Sequence, residues 1–203
     1  MIALIVGNGE VDKSVLQHIP KNPFVICADG GIRHMELLGL EADILMGDMD
    51  SANDASITSD AIVYPVRKDF TDSEIAVNYA LEKGYTEIYM IGFTGTRLDH
   101  TFSNLSLLKT ISQNGAKGKI IDKNNVIIWA ESENIITGKN GDIVSILPFG
   151  EDVSGISTEG LDYPLKNETL YFTKSRGVSN VMCGEVCKIT IESGSALIIK
   201  SKD

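Results

Sequence analysis

The feature that most constrains the fold is a change of rhythm near residue 125. Before it, short apolar runs alternate with segments of helical spacing; after it, the helical patterns stop. Ile2–Val6, Phe24–Ala28 and residues 44–46, 61–66, 86–91 and 119–122 read as strands. Val11, Val15, Leu16 and Ile19 repeat at helical spacing, and residues 31–38 read as a helix stopped by Gly39. Thr71 and Glu74 form a capping-box pattern ahead of a helix running to about Lys83, with Gly84 suited to its end. Residues 100–112 read as a helix with Phe102, Leu105, Leu108 and Ile111 on one side. Parallel neighbours need crossover connections, so this alternation predicts a sheet covered on both faces. The expected fold class of residues 1–125 is α/β, with a mainly parallel, doubly wound (Rossmann-like) sheet.

Residues 126–130, 142–147, 153–158, 169–172, 186–192 and 196–200 read as further strands. Turn residues separate them: Gly138, Asn140-Gly141, Gly150, Asn167, Gly184 and Ser193-Gly194. Residues 126–203 are therefore expected to form a small all-β antiparallel sandwich. No Pro- or Ser-rich linker lies between the halves.

A chain of 203 residues can bury most of its apolar surface in one large domain or two small ones. With 43% hydrophobic and 23% charged residues, disorder, collagen and coiled coil are poor readings. The net charge of −10, from 28 acids against 18 bases, argues against broad adhesion to nucleic acid or anionic lipid. It leaves room for a local basic site for phosphate, or for acids gathered around a divalent metal. Cys27, Cys183 and Cys187 cannot form a complete disulfide set, and packed thiols are the expectation over a zinc site. With no basic leader pattern and no apolar stretch near the ~20 residues of a spanning helix, the expected setting is reducing and cytoplasmic.

In a parallel sheet, ligands bind outside the carboxyl ends of the strands. Four successive predicted strands deliver carboxylates there. They end in Asp29-Gly30-Gly31, in Gly47-Asp48-Met49-Asp50-Ser51, in Arg67-Lys68-Asp69-Phe70-Thr71-Asp72, and in the glycine-rich run 92–100 that closes with Arg97-Leu98-Asp99-His100. Asp48 and Asp50, two apart in extended chain, suit a hard ion such as Mg²⁺, or bond their own turn. Asp72 stands at a helix start, where dipole stabilisation is the simpler role. The loop at 92–100 can cradle phosphate on backbone amides, with Arg97 supplying a planar charge. Gly7-Asn8-Gly9 is a weaker candidate of the same kind. His18 and His34 are expected to pack, and Trp129 is expected in the core. The arrangement implies Mg-nucleotide chemistry, with the second domain carrying the acceptor.

In order along the chain, Cys27-Ala28-Asp29-Gly30-Gly31, Gly47-Asp48-Met49-Asp50-Ser51, Asp69-Phe70-Thr71-Asp72 and Gly95-Thr96-Arg97-Leu98-Asp99-His100, with Asn104 on the next helix, resemble thiamine pyrophosphokinases. Gly160-Leu161-Asp162-Tyr163-Pro164-Leu165 and Ser179-Asn180 resemble that family's thiamine-binding domain. The resemblance implies transfer of the diphosphate of ATP to the hydroxyl of thiamine, giving thiamine diphosphate and AMP. It implies an ATP- and Mg-binding domain over 1–125 and a thiamine-binding domain over 126–203. It also implies a homodimer whose sites join one subunit's α/β domain to its partner's β domain. By the same resemblance Asp48, Asp50, Asp72 and Asp99 hold Mg²⁺ or orient the reacting groups. Asp29, Gly30, Gly31, Lys68, Asp69, Thr71, Gly95, Arg97, His100 and Asn104 serve ATP. Asp48, Asp99, Tyr163, Ser179 and Asn180 serve thiamine.

Two positions depart from the family pattern: Thr96 where glycine is frequent, and Val181 where glutamate is frequent. A β-branched residue does not readily take a positive φ, so Thr96 predicts either a different backbone there or a shifted loop. Three rival readings stay open: diphosphate transfer to another heterocyclic alcohol of pterin type, a glycosyltransferase using Asp48 and Asp50, and a thiamine or nucleotide sensor without turnover.

Overall fold

In the computed structural model, the described residues are 1–47, 60–63 and 69–202, with backbone only at Asp29 and 60–63. The chain divides into two units, Met1–Lys123 and Asn124–Asp203. The first contains β1 (Ile2–Val6), β2 (Phe24–Ala28), β3 (Ile44–Gly47), β4 (Asp60–Val63), β5 (Glu87–Ile91) and β6 (Lys117–Ile121). Their order is β6-β5-β1-β2-β3-β4, and every pairing is parallel. Buried on both faces, these strands are near-continuous apolar runs: Ala3, Leu4, Ile5 and Val6 of β1, and Ile88, Met90 and Ile91 of β5, have no exposed surface.

Helices in this unit are shorter at the start than the periodicity predicts. Lys13–His18 and Asp29–His34 are 3₁₀ helices, and α1 is only Met35–Leu38, ended by Gly39 at φ +65°. α2 (Asp72–Glu82) starts as its capping pattern predicts: the Thr71 hydroxyl accepts from the Glu74 amide at 3.2 Å. α3 (Leu98–Gln113) turns a different face inward from the expected one. Asn104, Leu107, Leu108 and Ile111 are buried, whereas Phe102 is 60% exposed. Of the strand expected at 61–66, residues 64–66 lie outside the described residues.

The second unit has two antiparallel sheets. β7 (Asn125–Ala130), β9 (Ile143–Pro148), β14 (Ala196–Ser201) and the two-residue β12 (Asn180–Val181) pair in the order β12-β9-β14-β7. β8 (Asn134–Thr137), β10 (Val153–Glu159), β11 (Glu168–Leu170) and β13 (Val186–Thr190) pair as β11-β10-β13-β8. One apolar core takes Val144, Ile146 and Ile198 from the first sheet and Ile136, Val153, Ile156 and Ile189 from the second. Pairings in the chain are thus mixed, parallel in the first unit and antiparallel in the second. β8 and β12 are strands that the alternation did not mark, being too short or too polar to stand out. Trp129 is in the core as expected, donating from Nε1 to Glu131 at 2.6 Å and packing edge-on to Phe149. Cys27 and Cys187 are packed thiols, but Cys183 is exposed, because it sits on a turn outside the sheet.

Candidate active site

The first unit runs outward through β1, β2, β3 and β4, then returns by α2 to place β5 on the other side of β1. The strand order thus reverses between β1 and β5, and in such a sheet ligands bind at the carboxyl ends near the reversal. A cleft of about 280 Å³ lies there, lined by residues 7–9, 71–73 and 92–97 with Ala28, His100, Thr101 and Asn104.

Its back wall is two loops zipped together. The Gly7 amide donates to the Ile91 carbonyl at 2.8 Å, Gly9 to Gly92 at 2.7 Å, and Glu10 to Thr94 at 3.0 Å. The backbones approach so closely that a Cβ on Gly9 would lie 2.6 Å from the Gly92 oxygen. Gly92 itself needs a positive φ of +72°. Asn104 Nδ2 donates to the Phe93 carbonyl at 2.8 Å, and the Thr94 hydroxyl donates to Asp122 at 3.2 Å. Every carbonyl from 91 to 94 thus has an internal donor. The amides of Asn8, Gly95 and Thr96 have no internal acceptor among the described residues. A wall whose 91–94 carbonyls are occupied and whose Asn8, Gly95 and Thr96 amides are free suits an anion.

Arg97 and Asp99 stand at the mouth. Asp99 accepts from Arg97 Nε at 3.2 Å and from Nη2 at 2.6 Å. That two-pronged contact, aided by the His100 amide, holds the Asp99 carboxyl down at about 2 and raises the arginine. His100 is exposed and lines the cleft, as does Asp72, the first residue of α2. Asp69 is exposed and outside the lining. Gly30 and Gly31 are buried because side chains there would strike Asn8 and the Val6 carbonyl, so they let the chain pass under the wall. Asp29 opens the following 3₁₀ helix. Asp48, Asp50 and Lys68 lie outside the described residues. Among the described residues, no three acidic, histidine or cysteine side chains converge as a metal site. Thr96 is not among the positive-φ residues, so its loop follows a backbone that a β-branched side chain tolerates.

Two residues next to the wall carried no signal in the sequence. Arg33 donates to the Asn8 carbonyl, and His34 Nε2 lies 2.9 Å from the Gly9 oxygen. Burial lowers the His34 pKa, and the Arg33 charge adds to that against the opposing pull of the Gly9 carbonyl. His34, expected to be a packing residue, thus has a polar partner in the cleft wall. No local pattern marks a side chain that meets backbone some 25 residues earlier.

The second unit has its own cleft, of about 450 Å³, lined by residues 162–165, 175–178 and Asn180. Tyr163 is 69% exposed at its edge. Asn180 is buried and closes a ring on the Tyr163 backbone: Oδ1 accepts from the Tyr163 amide at 3.0 Å, and Nδ2 donates to its carbonyl at 2.7 Å. Oδ1 also accepts from the Val181 amide at 2.9 Å. Asn180 therefore ties residues 160–165 to the 179–181 turn, and its amide group is committed to that task. Ser179 is exposed at φ +57°, outside the lining, with its amide donating to Ser145 Oγ at 2.9 Å. Val181 works through its backbone, accepting from the Asp162 amide at 2.9 Å. No helix among the described residues is long and apolar enough to cross a membrane.

Comparison with known proteins covers both units. Residues 15–120 match the family model for the thiamin pyrophosphokinase catalytic domain, and residues 131–198 match that for its vitamin B1 binding domain. A thiamine pyrophosphokinase of Bacillus subtilis (strain 168) is 32% identical over 143 residues, which is 70% of this chain and 67% of that protein. A crystal structure of thiamine pyrophosphokinase from Bacillus subtilis superposes with a TM-score of 0.90 at 26% identity, covering all of both chains. One from Geobacillus thermodenitrificans gives 0.84 at 27% identity, covering 100% of this chain and 98% of the other.

Proposed function

The chain belongs to the thiamin pyrophosphokinase family, and on that premise we propose that it transfers the diphosphate of ATP to the hydroxyl of thiamine with Mg²⁺ as cofactor. As a thiamine diphosphokinase it forms thiamine diphosphate from thiamine; AMP is the product that transfer of both phosphates leaves. The observation that carries the ATP reading is the first-unit cleft, with occupied carbonyls, free amides and an arginine at its mouth. A vitamin B1 binding-domain match over the second half disfavours the pterin and glycosyl-transfer readings.

In this reading the first unit is doubly wound. α2 and α3 touch each other, while α1 touches the two 3₁₀ helices. Right-handed crossovers across the reversal at β1 assign these two groups to opposite faces. The switch between β1 and β5 then holds the polyphosphate. Amides of Asn8, Gly95 and Thr96 receive its oxygens, and Arg97 offsets charge on the transferred group. Asp99 holds the guanidinium fork in place until phosphate takes over. Asn104 acts through the Phe93 carbonyl and sets the loop. Asp29, Gly30, Gly31, Asp69, Thr71 and His100 form the surroundings of the nucleotide, together with Lys68.

The donor chemistry fits Mg²⁺: Asp72 lines the cleft with a carboxylate, a hard oxygen ligand, and Asp48 and Asp50 come next after β3 in the sequence. Asp72, Asp48 and Asp50 would hold the ion, with Asp99 serving chiefly as the partner of Arg97. Such an ion would supply positive charge to offset that of the polyphosphate. In the second unit, Tyr163 offers its ring to thiamine, and Ser179 and Asn180 shape the loop that presents it. Large exposed apolar side chains support a homodimer with shared sites: Leu98 on the first unit, Tyr163 and Phe172 on the second. The absence of a disulfide among Cys27, Cys183 and Cys187 accords with a cytoplasmic setting.

Incubation with thiamine, ATP and Mg²⁺, resolved by chromatography, tests the reaction. The expected result is AMP formed one for one with thiamine diphosphate. ADP with thiamine monophosphate would mean that a single phosphate is moved, and thiamine binding without turnover would return the sensor reading.

A further inference from the structure

Exposed arginines ordinarily spend their charge on solvent. Arg33 does not. It sits in the 3₁₀ helix Asp29–His34, directly after Gly30 and Gly31 have carried the chain beneath the cleft wall. From there its Nη2 donates to the Asn8 carbonyl and lies 3.5 Å from that of Gly9. The four carbonyls from Ile91 to Thr94 are served by amides of the β1 turn and by Asn104. The carbonyls of Asn8 and Gly9 take no donor from this zipper. Arg33 Nη2 faces both, and Arg33 Nε donates at 3.2 Å to His34 Nε2, which itself lies 2.9 Å from the Gly9 oxygen. Without Arg33, two partial negative charges would stand next to the Asn8 amide in a cleft meant for a polyanion.

We propose that Arg33 is a positioning residue for the phosphate-bearing co-substrate: by holding the Asn8 and Gly9 carbonyls it fixes the Gly7-Asn8-Gly9 turn so that the wall offers amides to phosphate. The proposal rests on the reading of the first-unit cleft as the nucleotide site. Arg33 acts through backbone and is assigned no contact with the reacting atoms.

The test compares wild type with Arg33→Met and Arg33→Lys, using Mg-ATP and thiamine as the probes. R33M is expected to raise the KM for ATP about tenfold, the size of one charge-assisted hydrogen bond at an exposed site, with the thiamine KM unchanged. R33K keeps the charge but meets one carbonyl at a time, and is expected to fall between. A merely structural arginine would move both KM values together or shift only the melting temperature, and either result overturns the proposal. An unchanged ATP KM in R33M overturns it as well. If R33M does not fold, R33K decides: a raised ATP KM with unchanged thiamine KM supports the role, and a wild-type ATP KM removes it. Calorimetric titration of wild type with Mg-ATP separates the two levels. No binding to wild type refutes the nucleotide site and the role of Arg33 with it, whereas equal binding to wild type and R33M refutes Arg33 alone.

Discussion

Arg97 and Asp99 lie two apart on the rim of the cleft, each about two-thirds exposed, and their contact is two-pronged. A carboxyl held below its ordinary value favours the folded state above pH 3.8, and that contribution fades as pH falls toward 2. At such exposure the effect on stability is small, so the pair organises the arginine more than the fold. Carbon-13 titration of the Asp99 carboxyl should give a midpoint of about 2 in wild type. In Arg97→Ala it should move up toward 3.8, and a midpoint that stays put would show that the arginine is not the cause. The chemistry of these residues was legible from type and spacing alone. Arg33 and the commitment of Asn180 to Tyr163 were not, because both depend on backbone distant in sequence.

The elements show where periodicity stops being enough. In α3 the apolar stripe Phe102, Leu105, Leu108 and Ile111 is a sound helical pattern, yet the buried face is Asn104, Leu107, Leu108 and Ile111. The tertiary reason is the bond from Asn104 to the Phe93 carbonyl, which turns a polar side chain inward and Phe102 outward. Two substitutions check this face. Leu108→Ala should cost about 2–5 kcal/mol in denaturant unfolding, because Leu108 is fully buried. Phe102→Ala should change it by less than about 0.5 kcal/mol, because Phe102 is largely solvent-exposed. Equal losses would contradict the packing. The short 3₁₀ segments at Lys13–His18 and Asp29–His34 follow a related rule. Close backbone approach at Gly7, Gly9, Gly30 and Gly31 fixes the loops that lead into these two segments.

For the whole molecule, the proposed dimer makes a prediction that neither unit makes alone. Light scattering should give twice the 22.0 kDa chain mass. Asp72→Asn and Asn180→Ala should each have less than about a tenth of wild-type activity, the first through loss of a cleft carboxylate and the second through release of Tyr163. If sites join one protomer's α/β unit to its partner's β unit, half of the sites in mixed dimers carry neither change. Random exchange between the two variants should then restore roughly a quarter of wild-type turnover. No recovery on mixing, with dimers confirmed, would place each site within one chain.

What the sequence determined by itself was whatever depends on local period and residue type. The alternation of strand and helix set the parallel first unit, the later loss of helical spacing set the antiparallel second, and acids at strand ends pointed to one edge as the candidate site. Only the tertiary structure decided which carbonyls of the cleft wall are occupied, which face of α3 is buried, and that Asn104 and Asn180 act on backbone. Those outcomes rest on hydrogen bonds between segments from 11 to 84 residues apart, Asn104 to Phe93 at one end and Gly7 to Ile91 at the other. Nothing in a local pattern encodes such partners, since they become neighbours only when strands pair and loops close over one another.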